Sequence, residues 1–184
     1  MIEQKNRLIA YLKMLGVGID SDVFESRIRA QKLAYILQTI LNTDLYDDFN
    51  FYIRGPYSKK LAVEYFSDSS DFRNGRSSYQ PTAAESGGIE RIKPLLMAFT
   101  INDLEIIASL LYLRKELHLD EETAEKVLEE RKPHLKMEDI WRGTNNIKRL
   151  LLTDQLRERL IKSLKEEGDN WDELSNESLN KFGR

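Results

Sequence analysis

The sequence predicts a mainly α-helical single domain carrying one short strand or β-hairpin. Three observations predict it. Apolar residues recur at steps of three and four over residues 2–15 and 27–41. Most of residues 89–167 divides into helix-length segments separated by capping residues, proline or glycine. Only one stretch, residues 49–54, is dominated by β-forming side chains. The chain has 184 residues, 41% hydrophobic and 32% charged, which suits one domain with a real core and a heavily charged surface.

Ile2, Leu8, Ile9, Leu12 and Leu15 form the stripe of a first helix, ended by Gly16 and Gly18. Ser21 and Asp22 offer N-caps for a second helix, in which Leu33, Ile36, Leu37, Ile40 and Leu41 share one face. After the polar break 43–48, Phe49 to Arg54 reads as a short strand that stops at Gly55-Pro56, because proline donates no ladder hydrogen bond. Ser58 then caps a short helix over residues 59–66. Residues 67–88 are rich in Ser, Gly and Asn without periodicity, and the expectation there is a mobile loop, with a strand pair as the alternative.

Helices are predicted over 89–99, 102–119, 121–131, 137–152 and 154–167. Thr100 to Asp103 and Asn102 to Glu105 both resemble capping boxes, and Asp120 suits the cap of the following helix. The helix beginning near Asn102 is apolar nearly all round, so it is expected at the centre of the fold. The domain is therefore drawn as residues 1–168, with a winged-helix-like half at 1–66, a loop at 67–88 and a helical half at 89–168, followed by a polar tail at 169–184.

The chemistry that the composition excludes is informative. With no cysteine there is no disulfide, no thiolate catalysis and no thiolate metal site, and only His118 and His134 supply imidazole. Each His stands alone at a helix end or connection, so neither is read as a metal ligand, and no cofactor is expected. No phosphate loop, HExxH pair or GxSxG elbow occurs. The acidic run Asp120 to Glu130 interleaves with Lys126, Arg131 and Lys132 and reads as an ion-paired, solvated helix face. Trp141 and Tyr112 are read as core. No apolar run approaches the length of a membrane span and the first residues do not build a signal sequence, which implies a cytoplasmic protein.

The net charge of −3 disfavours nucleic acid overall, yet residues 27–60 hold six basic side chains against three acids. The basic set is Arg27, Arg29, Lys32, Arg54, Lys59 and Lys60. Arg54-Gly55-Pro56-Tyr57-Ser58-Lys59-Lys60 would place a turn, a helix N-terminus and two lysines together, where an anion of a partner could sit. The plainer alternative is that Gly55 and Pro56 turn the chain, Tyr57 packs and the lysines are solvated.

The segment Gln31-Lys32-Leu33-Ala34-Tyr35-Ile36-Leu37-Gln38, followed by Gly55-Pro56-Tyr57-Ser58-Lys59-Lys60-Leu61, resembles a QKLxYxxQ... GPYS pattern. That pattern is similar to one in YwgA-like uncharacterised proteins of bacteria and archaea and in the C-terminal domain of DarG-type antitoxins. More distantly it resembles the Panacea (SocA-like) antitoxin domain. The likeness covers about the first 66 residues and includes no macrodomain. It implies a compact helical domain that neutralises or delivers a partner protein, a toxin among the candidates, and brings no catalytic residue.

The functional expectation is thus a non-enzymatic regulatory module, antitoxin-like or adapter-like, that binds a partner protein through the turn and basic helix or through the acidic helices. The alternative is a winged-helix-like DNA-binding transcriptional regulator with the six basic side chains along phosphates. An enzyme ranks third, because no nucleophile, base and orienting group can be assembled from the sequence.

Overall fold

A computed structural model describes residues 2–152, 156, 159 and 162–165 of the chain. The chain divides into two compact units, 1–150 and 151–184, and the first carries the candidate site. The helix expected over 154–167 and the tail at 169–184 lie largely or wholly outside the described residues.

The first unit is mainly helical with one hairpin, in the order α1 (Ile2–Leu15), α2 (Phe24–Leu41), β1 (Asn50–Tyr52), β2 (Gly55–Tyr57), α3 (Lys59–Ser67), α4 (Ser69–Asn74), α5 (Ala83–Ala98), α6 (Ile101–Lys115), α7 (Glu121–Arg131) and α8 (Met137–Leu151). The apolar run in α6 does make it the centre: Leu104 to Leu111 and Leu113 are all buried. Helix α2 packs along α6, and β2 lies on both helices. Helix α1 packs on α5, and α7 covers another side of α6. Nine consecutive residues of α2, Ala30 to Gln38, are buried, so this helix is enclosed on every side and presents no mid-helix face to a groove.

Several expectations are corrected. The strand does not end at Gly55-Pro56. Residues 55–57 return antiparallel to β1, with Asn50 opposite Tyr57, Phe51 opposite Pro56 and Tyr52 opposite Gly55. Proline is tolerated here because so short a hairpin needs few ladder bonds. Helix α2 starts at Phe24 with Val23 as N-cap and no side-chain cap bond. Ser21 is instead buried with its carbonyl accepting from Arg27 at 2.6 Å, and the Asp22 carboxylate accepts from Arg73 at 3.3 Å. Thr100 and Asp103 form a true capping box, whereas Glu105 faces a buried lysine and caps nothing. Trp141 is 55% exposed, not core. Tyr112 is half-buried against Tyr35 and Phe51.

Residues 67–88, expected as a loop, carry α4 and the first turns of α5, whose cap is the Thr82–Glu85 box. Polar contacts across the fold hold the connection between them. The Ser77 hydroxyl donates to the Asn6 carbonyl at 2.6 Å, and the Tyr79 and Tyr11 hydroxyls both donate to Glu85. Buried Phe72 fixes α4, and its carbonyl accepts from the Ile19 amide at 3.0 Å. Among the described residues no helix is long and apolar enough to cross a membrane, and no group of three His, Asp or Glu side chains could hold a metal ion.

Candidate functional site

The two sequence motifs form one structural unit. Gln31 projects from α2 onto the chain between β2 and α3. Its side-chain amide donates to the Ser58 carbonyl at 2.9 Å, and its oxygen accepts from the Ser58 amide at 2.8 Å. A single side chain thus reaches both backbone groups of a buried residue, whose carbonyl also accepts from the Ala62 amide at 3.2 Å. Next to it, the Lys32 ammonium donates to the Pro56 carbonyl at 2.6 Å. Gly55 has φ +81, and a Cβ there would overlap the Ser109 hydroxyl of α6, so glycine is required by conformation and by space.

The anion seat expected at the start of α3 exists, and the chain fills it. Ser58 is buried and caps α3 by accepting from the Leu61 amide at 3.0 Å. Asp48 accepts from the Ser58 hydroxyl and, at 2.9 Å, from the Lys60 amide. Asp47 takes the Lys60 ammonium. The six basic side chains therefore do not make one strip. Lys32 is 2% exposed, Lys60 is paired, Lys59 points to solvent, and Arg29 borders a separate shallow concavity with Gly16, Val23 and Met97.

What the structure does assemble is a pocket of about 480 Å³ between the start of α2, the hairpin and α3. Phe24, Ile28, Tyr52, Ile53, Tyr57, Tyr65 and Phe66 give it apolar walls, with Arg27, Gln31, Lys32, Arg54 and Gly55 among them. Four lining residues are large apolar groups left in solvent: Phe24, Tyr52, Ile53 and Phe66 are 56, 44, 88 and 57% exposed. The Arg27 guanidinium stands 5.5 Å from the Phe24 ring centroid and 5.7 Å from that of Phe66, and the Arg54 guanidinium is 6.0 Å from Phe24. Of the residues named from the sequence, Arg27, Lys32, Arg54, Gly55 and Tyr57 reach this pocket. The aromatic and aliphatic members Phe24, Ile53 and Phe66 were missed. The available signal was their phase: each stands where a solvent-facing polar residue belongs.

Behind the pocket, one carboxylate serves three cations. Glu105 is hydrogen-bonded to the Lys132 ammonium, both groups being 2% exposed, and lies 3.4 Å from Arg54. Burial lowers the Lys32 ammonium to about 7, with Glu105 opposing and Lys132 and Arg54 reinforcing the shift. Burial also lowers Lys132, against the pull of Glu105.

A pH dependence of stability follows. Below about 7, Lys32 is charged in the folded and the unfolded chain, and burial costs its full amount. Between about 7 and the ordinary lysine value of 10.5, the unfolded chain keeps a proton that the folded chain has released, so deprotonation favours folding. Stability is expected to rise by about 2 kcal/mol from about pH 7 to about pH 9 through Lys32, with Lys132 acting in the same direction. Burial raises Tyr11, Tyr35 and Tyr46, which oppose the trend only above about pH 10, where unfolded tyrosine ionises. Urea unfolding at stepped pH checks this, and Lys32→Met should remove most of the rise. A flat profile in the wild type would show that the ammonium is solvated.

Comparison with family models, with curated proteins and with solved structures returned no match.

Proposed function

We propose that the chain is a non-enzymatic binding module, antitoxin-like or adapter-like, that holds a partner protein through the pocket between α2, the hairpin and α3. The observation that carries this reading is the convergence of four exposed large apolar side chains and two arginines on one concavity. Solvated aromatic surface is unfavourable at about 25 cal/mol per Å². A cluster rich in Tyr, Phe and Arg has the composition of interface hot spots. The resemblance to antitoxin domains agrees with the reading, and so does the burial of the motif residues, which build the scaffold that positions the pocket. The phosphate-binding alternative loses three of its contacts, because Lys32 is buried, Lys60 is paired and Asp48 occupies the α3 terminus.

The test compares the wild-type chain with a Phe24→Ala, Arg54→Ala variant as bait in native lysate, after circular dichroism shows both folded. A stoichiometric companion retained by the wild type and lost by the variant is the expected result. A companion held equally by both, or none at all, would count against the pocket as an interface. Retardation of mixed-sequence duplex DNA that weakens steeply with salt and with Lys59→Ala, Lys60→Ala would restore the regulator reading.

A further inference from the structure

The charge around the pocket narrows what fits in it. Among the described residues none that lines the pocket is acidic, while Arg27, Arg54 and Lys32 all line it. Arg27 and Arg54 are held against the same Phe24 ring, so their like charges are brought together on one wall. Glu105, close behind, is already bonded to Lys132 and shared with Arg54. The two guanidiniums share one nearby carboxylate that Lys132 already engages, which leaves an excess of positive charge beside an apolar floor. An occupant that carries a carboxylate would relieve that excess, and flat apolar walls favour a ring beside it.

Resting on the protein-binding reading above, we propose that the pocket receives an acidic aromatic segment of the partner. An aromatic side chain lies between Phe24, Tyr52 and Phe66, and an Asp or Glu next to it in sequence pairs with Arg54 and Arg27. A free small aromatic acid would leave Ile53, 88% exposed at the rim, uncovered, whereas a polypeptide continues over it. A nucleic-acid phosphate would sit against apolar walls without shielding them, and Lys59 and Lys60, the lysines best placed to follow a backbone, do not line the pocket.

The experiment selects from a random dodecapeptide phage library on the intact chain, then measures the consensus peptide by fluorescence anisotropy. Enrichment of an aromatic residue beside Asp or Glu is expected. Binding should weaken about ten-fold or more with Arg54→Ala, with Arg27→Ala, and when the peptide's acid is changed to its amide. Thermal melts close to wild type show that the variants are folded. Peptides that carry an aromatic residue without an acid, sensitive to Phe24→Ala and indifferent to both arginine changes, would overturn the acidic occupant and leave the protein-binding reading intact. Enriched peptides unaffected by Phe24→Ala, or no enrichment, would overturn both. Displacement of the consensus peptide by mixed-sequence oligonucleotide at a lower concentration than by free peptide would also overturn the inference.

Discussion

Glu105→Gln is expected to lower the unfolding free energy by about 3–5 kcal/mol at neutral pH, the range for a buried pair that loses one charged partner. The amide is nearly isosteric, so packing of α6 is unchanged and the effect is electrostatic. Lys132, 2% exposed, would keep a proton with no counter-charge, while Arg54 and Lys32 would lose the one carboxylate that offsets them. The cost has a ceiling, because Lys132 escapes it by releasing its proton. The deficit should therefore shrink as pH rises, which denaturant unfolding at neutral and alkaline pH measures. A loss below about 1 kcal/mol would mean that water reaches the pair and that the charge imbalance behind the pocket is screened.

Gln31→Leu is expected to cost about 1–3 kcal/mol, because it strands the buried Ser58 amide, while the Ser58 carbonyl keeps the Ala62 amide at 3.2 Å. Leucine fills similar volume and raises helix propensity slightly, so the loss cannot be assigned to a cavity or to α2. Gln31→Glu is the titratable control. It keeps an acceptor for the Ser58 amide but sets a buried carboxyl oxygen against the Ser58 carbonyl, so its stability should fall as pH rises through the carboxylate range, which leucine does not show. Hydrogen exchange would localise the effect: the Ser58 and Leu61 amides should lose protection before those of α6. Equal stability of all three chains would show that the motif is not the clamp described.

The helical plan was legible because it is written in local periodicity. The stripe in α1, the position of α2, the all-round apolar run in α6 and the caps at Ser58, Thr100 and Asp120 all lie where spacing put them, whereas α2 is buried on every side and not on one face alone. The order in residues 76–82 was not legible, because it depends on bonds to Asn6 and Tyr11, far away in sequence. The site was half legible. Its motifs were visible as a pair, but a lysine in a sequence reads as solvated, and Lys32 is enclosed only because β2 folds back over α2 and presents a carbonyl to it. Arg27 and Arg54 were singled out for charge alone. That they flank Phe24 depends on a hairpin turn bringing residues 52–54 to the start of α2, a closure that no local pattern encodes.

Asp48 at the mouth of α3 has a consequence for every dissolved anion. A group fastened to the same chain acts at an effective concentration of millimolar or more whatever the solution holds, so inorganic phosphate or a nucleotide meets a tethered competitor. Such a receptor is self-saturated for as long as the domain stays folded. Selectivity is thereby shifted away from bare charge, and visitors must bring greasy surface as well.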